Sequence, residues 1–183
     1  MTLSKQTIVL GIDDAKIFEL TADSSGALTY GTAIDVPGIQ KIEMTPSITE
    51  KGLSSDEKIL DYYVKMDYIA WAFYSAKISL EALAILEGGT ITTTGTTPNQ
   101  VHTYSISGSS APKYFKFEAK ANYSAGEVGD FHQKLYKCKA NNVDVQYTAS
   151  DYAIVSASGM AIATIHDGRI KDYVINETAA AIS

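Results

Sequence analysis

Residues 59–76 read ILDYYVKMDYIAWAFYSA, the longest strand-prone run in the chain. Aromatic and β-branched side chains dominate it, and such residues favour a pleated, half-buried backbone. Written at period two, one face carries Tyr63, Lys65, Asp67, Ile69, Trp71 and Phe73. The other carries Tyr62, Val64, Met66, Tyr68, Ala70, Ala72 and Tyr74. This second face is almost wholly apolar or aromatic, so it is the one expected to pack on a core. The first face starts polar and ends aromatic, as if a different surface covers its far end. Tyr68, Trp71 and Phe73 are the candidates for core or inter-subunit packing.

Immediately upstream lies SITEKGLSSDEK, residues 47–58, polar, charged with both signs and without a sustained period. It reads as a long exposed loop, and long loops lacking internal structure usually have a function. Further back, residues 32–45 read as a strand region broken at Pro37-Gly38, with the buried face of 39–44 ambiguous. Residues 15–21 read as a short strand followed by a turn at Asp23-Ser-Ser-Gly26. Downstream, Ser79 is an N-cap candidate for a helix over 80–86, with leucines at helical spacing and Gly88-Gly89 as its stop. The Thr- and Gly-rich stretch 90–99 reads as an edge strand or arm. Strand alternation then returns around Phe115–Phe117–Ala119, Tyr136–Cys138–Ala140 and Val143–Val145–Tyr147. It returns again over 152–166 and 169–175, separated by the turn signal Asp167-Gly168. The tail 176–183 is small and polar enough to be loose until something binds it. The pattern predicts a mainly β fold, an antiparallel sandwich or barrel with one flanking helix and a long protruding loop.

The chain has 183 residues, 45% of them hydrophobic and 20% charged, which suits one domain with a true core. Its net charge of −6 argues against a surface built to grip nucleic acid, which needs clustered Lys and Arg. Cys138 is the only cysteine, so no intrachain disulfide forms, and its alternation with Tyr136 and Ala140 marks a small core residue rather than a nucleophile. The apolar run Ile8-Val9-Leu10 is too short for a signal-peptide core, and the expectation is a protein made in a cytoplasm that does not insert into membranes.

Chemistry is sparse. His102, His132 and His166 lack metal-ligand spacing, and no phosphate-binding glycine loop is present. Ser55-x-x-Lys58 and Ser110-x-x-Lys113 match a bare spacing without its companion motifs. Neighbouring carboxylates at Asp13-Asp14 and Asp56-Glu57 point to opposite sides of any strand. The tyrosines suit a core and a subunit interface better than a stacking platform in an acidic protein. No enzyme, metal or cofactor is expected.

The layout (strands, the polar stretch 47–58, the long strand through Trp71, one helix ending at Gly88-Gly89, then a second set of strands) resembles the major tail proteins of long-tailed bacteriophages. The resemblance covers nearly the whole chain as one domain with an N-terminal arm at about 1–13 and a C-terminal arm at about 176–183. It implies a β-sandwich flanked by a helix, forming hexameric rings that stack into a hollow tail tube. Implied partners are further copies of the chain, a tape-measure protein and tail-end proteins, with DNA passing through unread. The implied location is the virion tail, assembled in a bacterial cytoplasm. Under this resemblance Glu50, Lys51, Leu53, Asp56, Glu57 and Lys58 bridge one ring to the next. The reading from another class is a β-sandwich binding module for a receptor or carbohydrate, on a virion or phage-derived injection particle.

Overall fold

The structure, a computed structural model, describes residues 8–55, 58–77, 79–124, 128–147, 149–150 and 152–182. Among these, the chain runs β1 (Val9–Ser24), β2 (Ala27–Asp35), β3 (Ile39–Ser55), β4 (Lys58–Ser75), α1 (Leu80–Leu86), β5 (Thr90–Thr94) and β6 (Val101–Ser105). It continues with β7 (Phe115–Tyr123), β8 (Asp130–Gln146), β9 (Ile154–Ala161) and β10 (Lys171–Asn176). The fold is mainly β, antiparallel throughout its pairings, with one short helix.

Hydrogen bonding follows the order β2-β1-β7-β8-β9-β4-β3, with β10 also on β8 and β5-β6 as a separate hairpin. Strand β8 belongs to two half-sheets. Its first part pairs with β7 and β10, its second part with β9. The half-sheets then lie face to face, because rings from β4 meet rings from β7 although those strands are not neighbours in the ladder. Trp71 meets Phe115 edge-on at 5.5 Å, and Phe73 stacks on Phe117 at 5.7 Å. Aromatic pairs of this geometry add to the gain from burial alone. Ile17, Ile69, Leu135, Cys138 and Ala157 complete this core, with Ile85 and Leu86 brought in by α1.

The helix forms where the sequence predicts. The Ser79 side chain accepts from the Ala82 amide at 3.3 Å, satisfying one of the donors a helix start leaves free. At its end Gly88 takes φ +76°, and a Cβ there would fall 1.9 Å from the Ala111 carbonyl oxygen. Gly159 is equally required, since a Cβ would meet the Lys139 carbonyl at 2.1 Å and the Trp71 ring at 2.7 Å.

Several expectations are corrected. Residues 47–55 are strand, not loop: β3 and β4 stay paired from Ile39↔Ser75 out to Ser55↔Lys58. Threonine, isoleucine and serine there pair with the strand-prone run opposite, and cross-strand partners override a weak local pattern. The expected core face of 59–76 is also wrong. Ile69, Trp71, Phe73 and Ser75 are buried, whereas Tyr68, Ala70, Ala72 and Tyr74 look outward and are half-buried. Bulk decided this, because two large rings and an isoleucine bury more area than alanines do. The ambiguity at 39–44 has a bulge as its cause. Ile39 pairs with Ser75 but Lys41 with Tyr74, so one extra residue brings Ile39, Ile42 and Met44 onto the core side. Similarly, 136–140 and 143–146 belong to one strand, β8, whose shift between Ala140 and Asn142 changes the alternation, and Tyr147 lies just past its end. The expected N-terminal arm falls partly outside the described residues, and from Val9 onward it is strand paired with β7. The tail is tied down: Asp130 Oδ2 accepts from the Ala180 amide at 2.7 Å, and Ile182 is buried.

Candidate functional site

Beyond the body, β3 and β4 continue as a two-stranded arm, residues 48–55 and 58–67, in which every described residue is exposed. Its register begins Ile48↔Met66, Thr49↔Lys65, Glu50↔Val64, Lys51↔Tyr63 and Gly52↔Tyr62. Directly opposed residues share a face. One face therefore holds Ile48, Met66, Val64, Glu50 and Tyr62, and the other Thr49, Lys65, Lys51, Tyr63, Leu53 and Asp61. The arm is an amphipathic ribbon.

Which face is which follows from one bulge. Ser47 pairs with Tyr68 and Ile48 with Met66, so β4 spends an extra residue at Asp67. The alternation flips there, and Met66, Val64 and Tyr62 fall on the same side as Ile69, Trp71 and Phe73. On β3 the same side runs Ile42, Met44, Pro46 and Ile48 without interruption. The apolar stripe of the arm is therefore the core face of the sandwich, carried past the body. Exposure climbs from 0% at Ile69 to 44% at Met66, 48% at Val64 and 56% at Tyr62. Covering such a half-exposed side chain is worth about 1 kcal/mol. Contiguous exposed apolar strips are a general feature of contact surfaces.

The residues expected to bridge rings lie along this arm. Glu50 is on the apolar face and accepts from the Tyr62 hydroxyl, which holds the Tyr62 phenol above its ordinary value. Lys51 and Leu53 are on the polar face, Lys58 pairs with Ser55 at the far end, and Asp56 and Glu57 lie outside the described residues. Thr49 donates to Asp67 beside the bulge. Trp71 and Phe73 are core residues within the chain itself. Tyr68 instead borders a shallow depression of about 460 Å³ on the outer face, floored by Ala70, Ala72, Ser158 and Gly159.

A second assembly of side chains was not legible in the sequence. On the outer side of β7 and β8, Glu118, Asp130 and His132 are buried along with Lys116. Glu118 Oε1 lies 2.8 Å from His132 Nδ1 and 3.0 Å from Lys134 Nζ, and its Oε2 lies 3.2 Å from Lys116 Nζ. Burial alone would raise the Glu118 carboxyl, but hydrogen bonds from His132 and Lys134 and the charge of Lys116 hold it below its ordinary range. Lys116 is pushed down by burial against the pull of Glu118. Asp130 is opposed by burial too, yet Asn176, Ala180 and His132 keep it low. The alternations Lys116-x-Glu118-x-Lys120 and Asp130-x-His132-x-Lys134 were the available signal, since in register they set opposite charges side by side. This network ties β7, β8 and the C-terminal segment together.

The remaining candidates separate. The Cys138 thiol is fully buried, and burial pushes it well above its ordinary value. His102 bonds Thr93 on the β5–β6 hairpin, Asp13 pairs with Lys120 and Asp14 with Lys16. Ser110 caps a turn at Ser107, while Lys113 reaches Glu19 at 2.9 Å. Among the described residues no group of three or more His, Cys, Asp or Glu side chains is placed to hold a metal ion. No helix among them is long and apolar enough to cross a membrane. No known family model and no curated protein matches this chain.

Proposed function

We propose that the protein is a structural subunit that assembles with copies of itself, as a virion tail protein whose hexameric rings stack into a hollow tube for DNA passage. One observation carries this reading: the core face of the sandwich continues onto an arm that no other described residue covers. A module complete in itself has no use for such a strip, and an exposed strand pair with an apolar side invites association. In this reading the strip meets a different surface of the next copy, and heterologous contacts of that type generate rings and filaments. The net charge of −6 also fits a conduit, because it gives passing phosphates no counterion-release incentive to bind. A tape-measure protein within the tube and proteins at its ends are the further partners in this reading.

Negative-stain electron microscopy of the purified protein across a concentration series, with light scattering in parallel, tests it. Six-fold rings and tubes of uniform width are the expected result. A monomer persisting at every concentration, and binding a glycan or receptor through the depression beside Tyr68, would replace it with the binding-module reading.

A further inference from the structure

The two half-sheets are staggered, and among the described residues each leaves part of its core face open at opposite ends. Trp71 packs on Phe115 and Phe73 on Phe117, so β4 and β7 run side by side across the core in the same sense. Going backwards from Trp71, the β4 face emerges as the arm stripe. Going forwards from Phe117, the β7 face passes buried Ala119 and reaches half-buried Ala121, short of Tyr123, which is buried. There the ladder pairs Ala121↔Phe131 and Ala119↔Gln133, then Ile175↔Phe131 and Tyr173↔Gln133, so all of these side chains share the core side. Tyr173 stacks on Phe131 at 5.5 Å, yet Tyr173 and Ile175 remain exposed. Beside them a cleft of about 210 Å³ opens between Ile12, Ile42, Ala121 and Phe131. A cavity of about 150 Å³ suffices for one aromatic ring, so this one takes a protruding side chain.

We infer that the arm stripe of one copy seats on this open end of the β7-β8-β10 core face of the next copy. The inference rests on the self-assembly reading and names the surface that receives the arm. The contact repeats, between copies, the pairing that already forms the core within each, a β3–β4 face on a β7–β8 face. Because the two uncovered ends lie at opposite ends of the sandwich, copies related by a shift satisfy each other head to tail, and the series does not close. Charge agrees as well. Glu50 is the one charged residue on the stripe among the described residues, and Lys171 is the one charged residue of β10 on the receiving face, its Nζ 4.4 Å from the Tyr173 ring centre.

Disulfide trapping between two chain variants tests this. One chain carries Val64→Cys, the other Ala121→Cys, and the native Cys138 stays buried in both. Mild oxidation of the assembled mixture is expected to yield the mixed dimer, absent from either variant alone. Assemblies that form without this dimer, or Val64→Cys chains that link to each other, overturn the inference while leaving self-assembly standing. A wild-type protein that never assembles overturns both. As a second arm, Glu50→Lys is expected to slow elongation by about tenfold or more through like-charge contact with Lys171. Adding Lys171→Glu to the same chain restores it; no restoration counts against the pairing.

Discussion

The strand β4 lives in two environments. From Ile69 to Ser75 every second residue is buried, and its rings interlock with those of β7. From Lys58 to Asp67 everything is exposed, although the ladder to β3 is unbroken apart from its bulges. Backbone pairing is the same in both halves, so hydrogen bonding does not distinguish them. What differs is whether a second sheet lies on the apolar face. The body uses that face for stability, and on the arm the same kind of face lies open to solvent.

If the division is right, substitutions in the two halves should separate stability from assembly. The largest stability effect belongs to the body: Trp71→Ala is expected to cost about 3–5 kcal/mol in urea unfolding, since it leaves a cavity against Phe73, Phe115 and Gly159. Next comes the buried charge network. Glu118→Gln is expected to cost about 3 kcal/mol, because it removes the buried carboxylate charge that Lys116, Lys134 and His132 all face. Acid should act on the same place. Glu118 and Asp130 are both held below their ordinary range in the folded state, so the unfolded chain binds more protons than the native one at low pH. Their contribution is present above the ordinary carboxylate range and is lost as pH falls below about 4, a loss that pH-dependent unfolding curves will read. Smaller again, Asp130→Ala is expected to cost about 1–3 kcal/mol and to speed hydrogen exchange at the Ala180 amide, because the tail loses its acceptor. Smallest is the arm: Val64→Ser with Met66→Ser is expected to shift unfolding by no more than about 0.5 kcal/mol per site, as both side chains are exposed in the isolated chain.

The same contrast explains what was legible in the sequence. Local signals read well, as with Ser79 and Gly88, because capping depends on a few adjacent residues. The mainly antiparallel β class was readable from repeated alternation. Strand faces were not, because the bulges near Gln40, Asp67 and Asn141 each shift the period by one, and a bulge leaves no firm mark in residue type. The arm escaped notice because 47–55 has weak strand character alone and gains order from its partner strand. The Glu118 and His132 cluster escaped because lysine and glutamate alternating along a strand look like a solvent face until the register sets them side by side. Glu50 and Lys51, both read as bridging residues, occupy opposite faces of the ribbon, a distinction only the pairing reveals.

The most direct measurement compares wild type with the Val64→Ser, Met66→Ser double variant, by light scattering and electron microscopy at matched concentrations. Wild type is expected to elongate, while the variant keeps its unfolding midpoint within the small shift given above and stops short of tubes. A variant that elongates as fast as wild type would contradict the claim that the uncovered core face on the arm joins the copies.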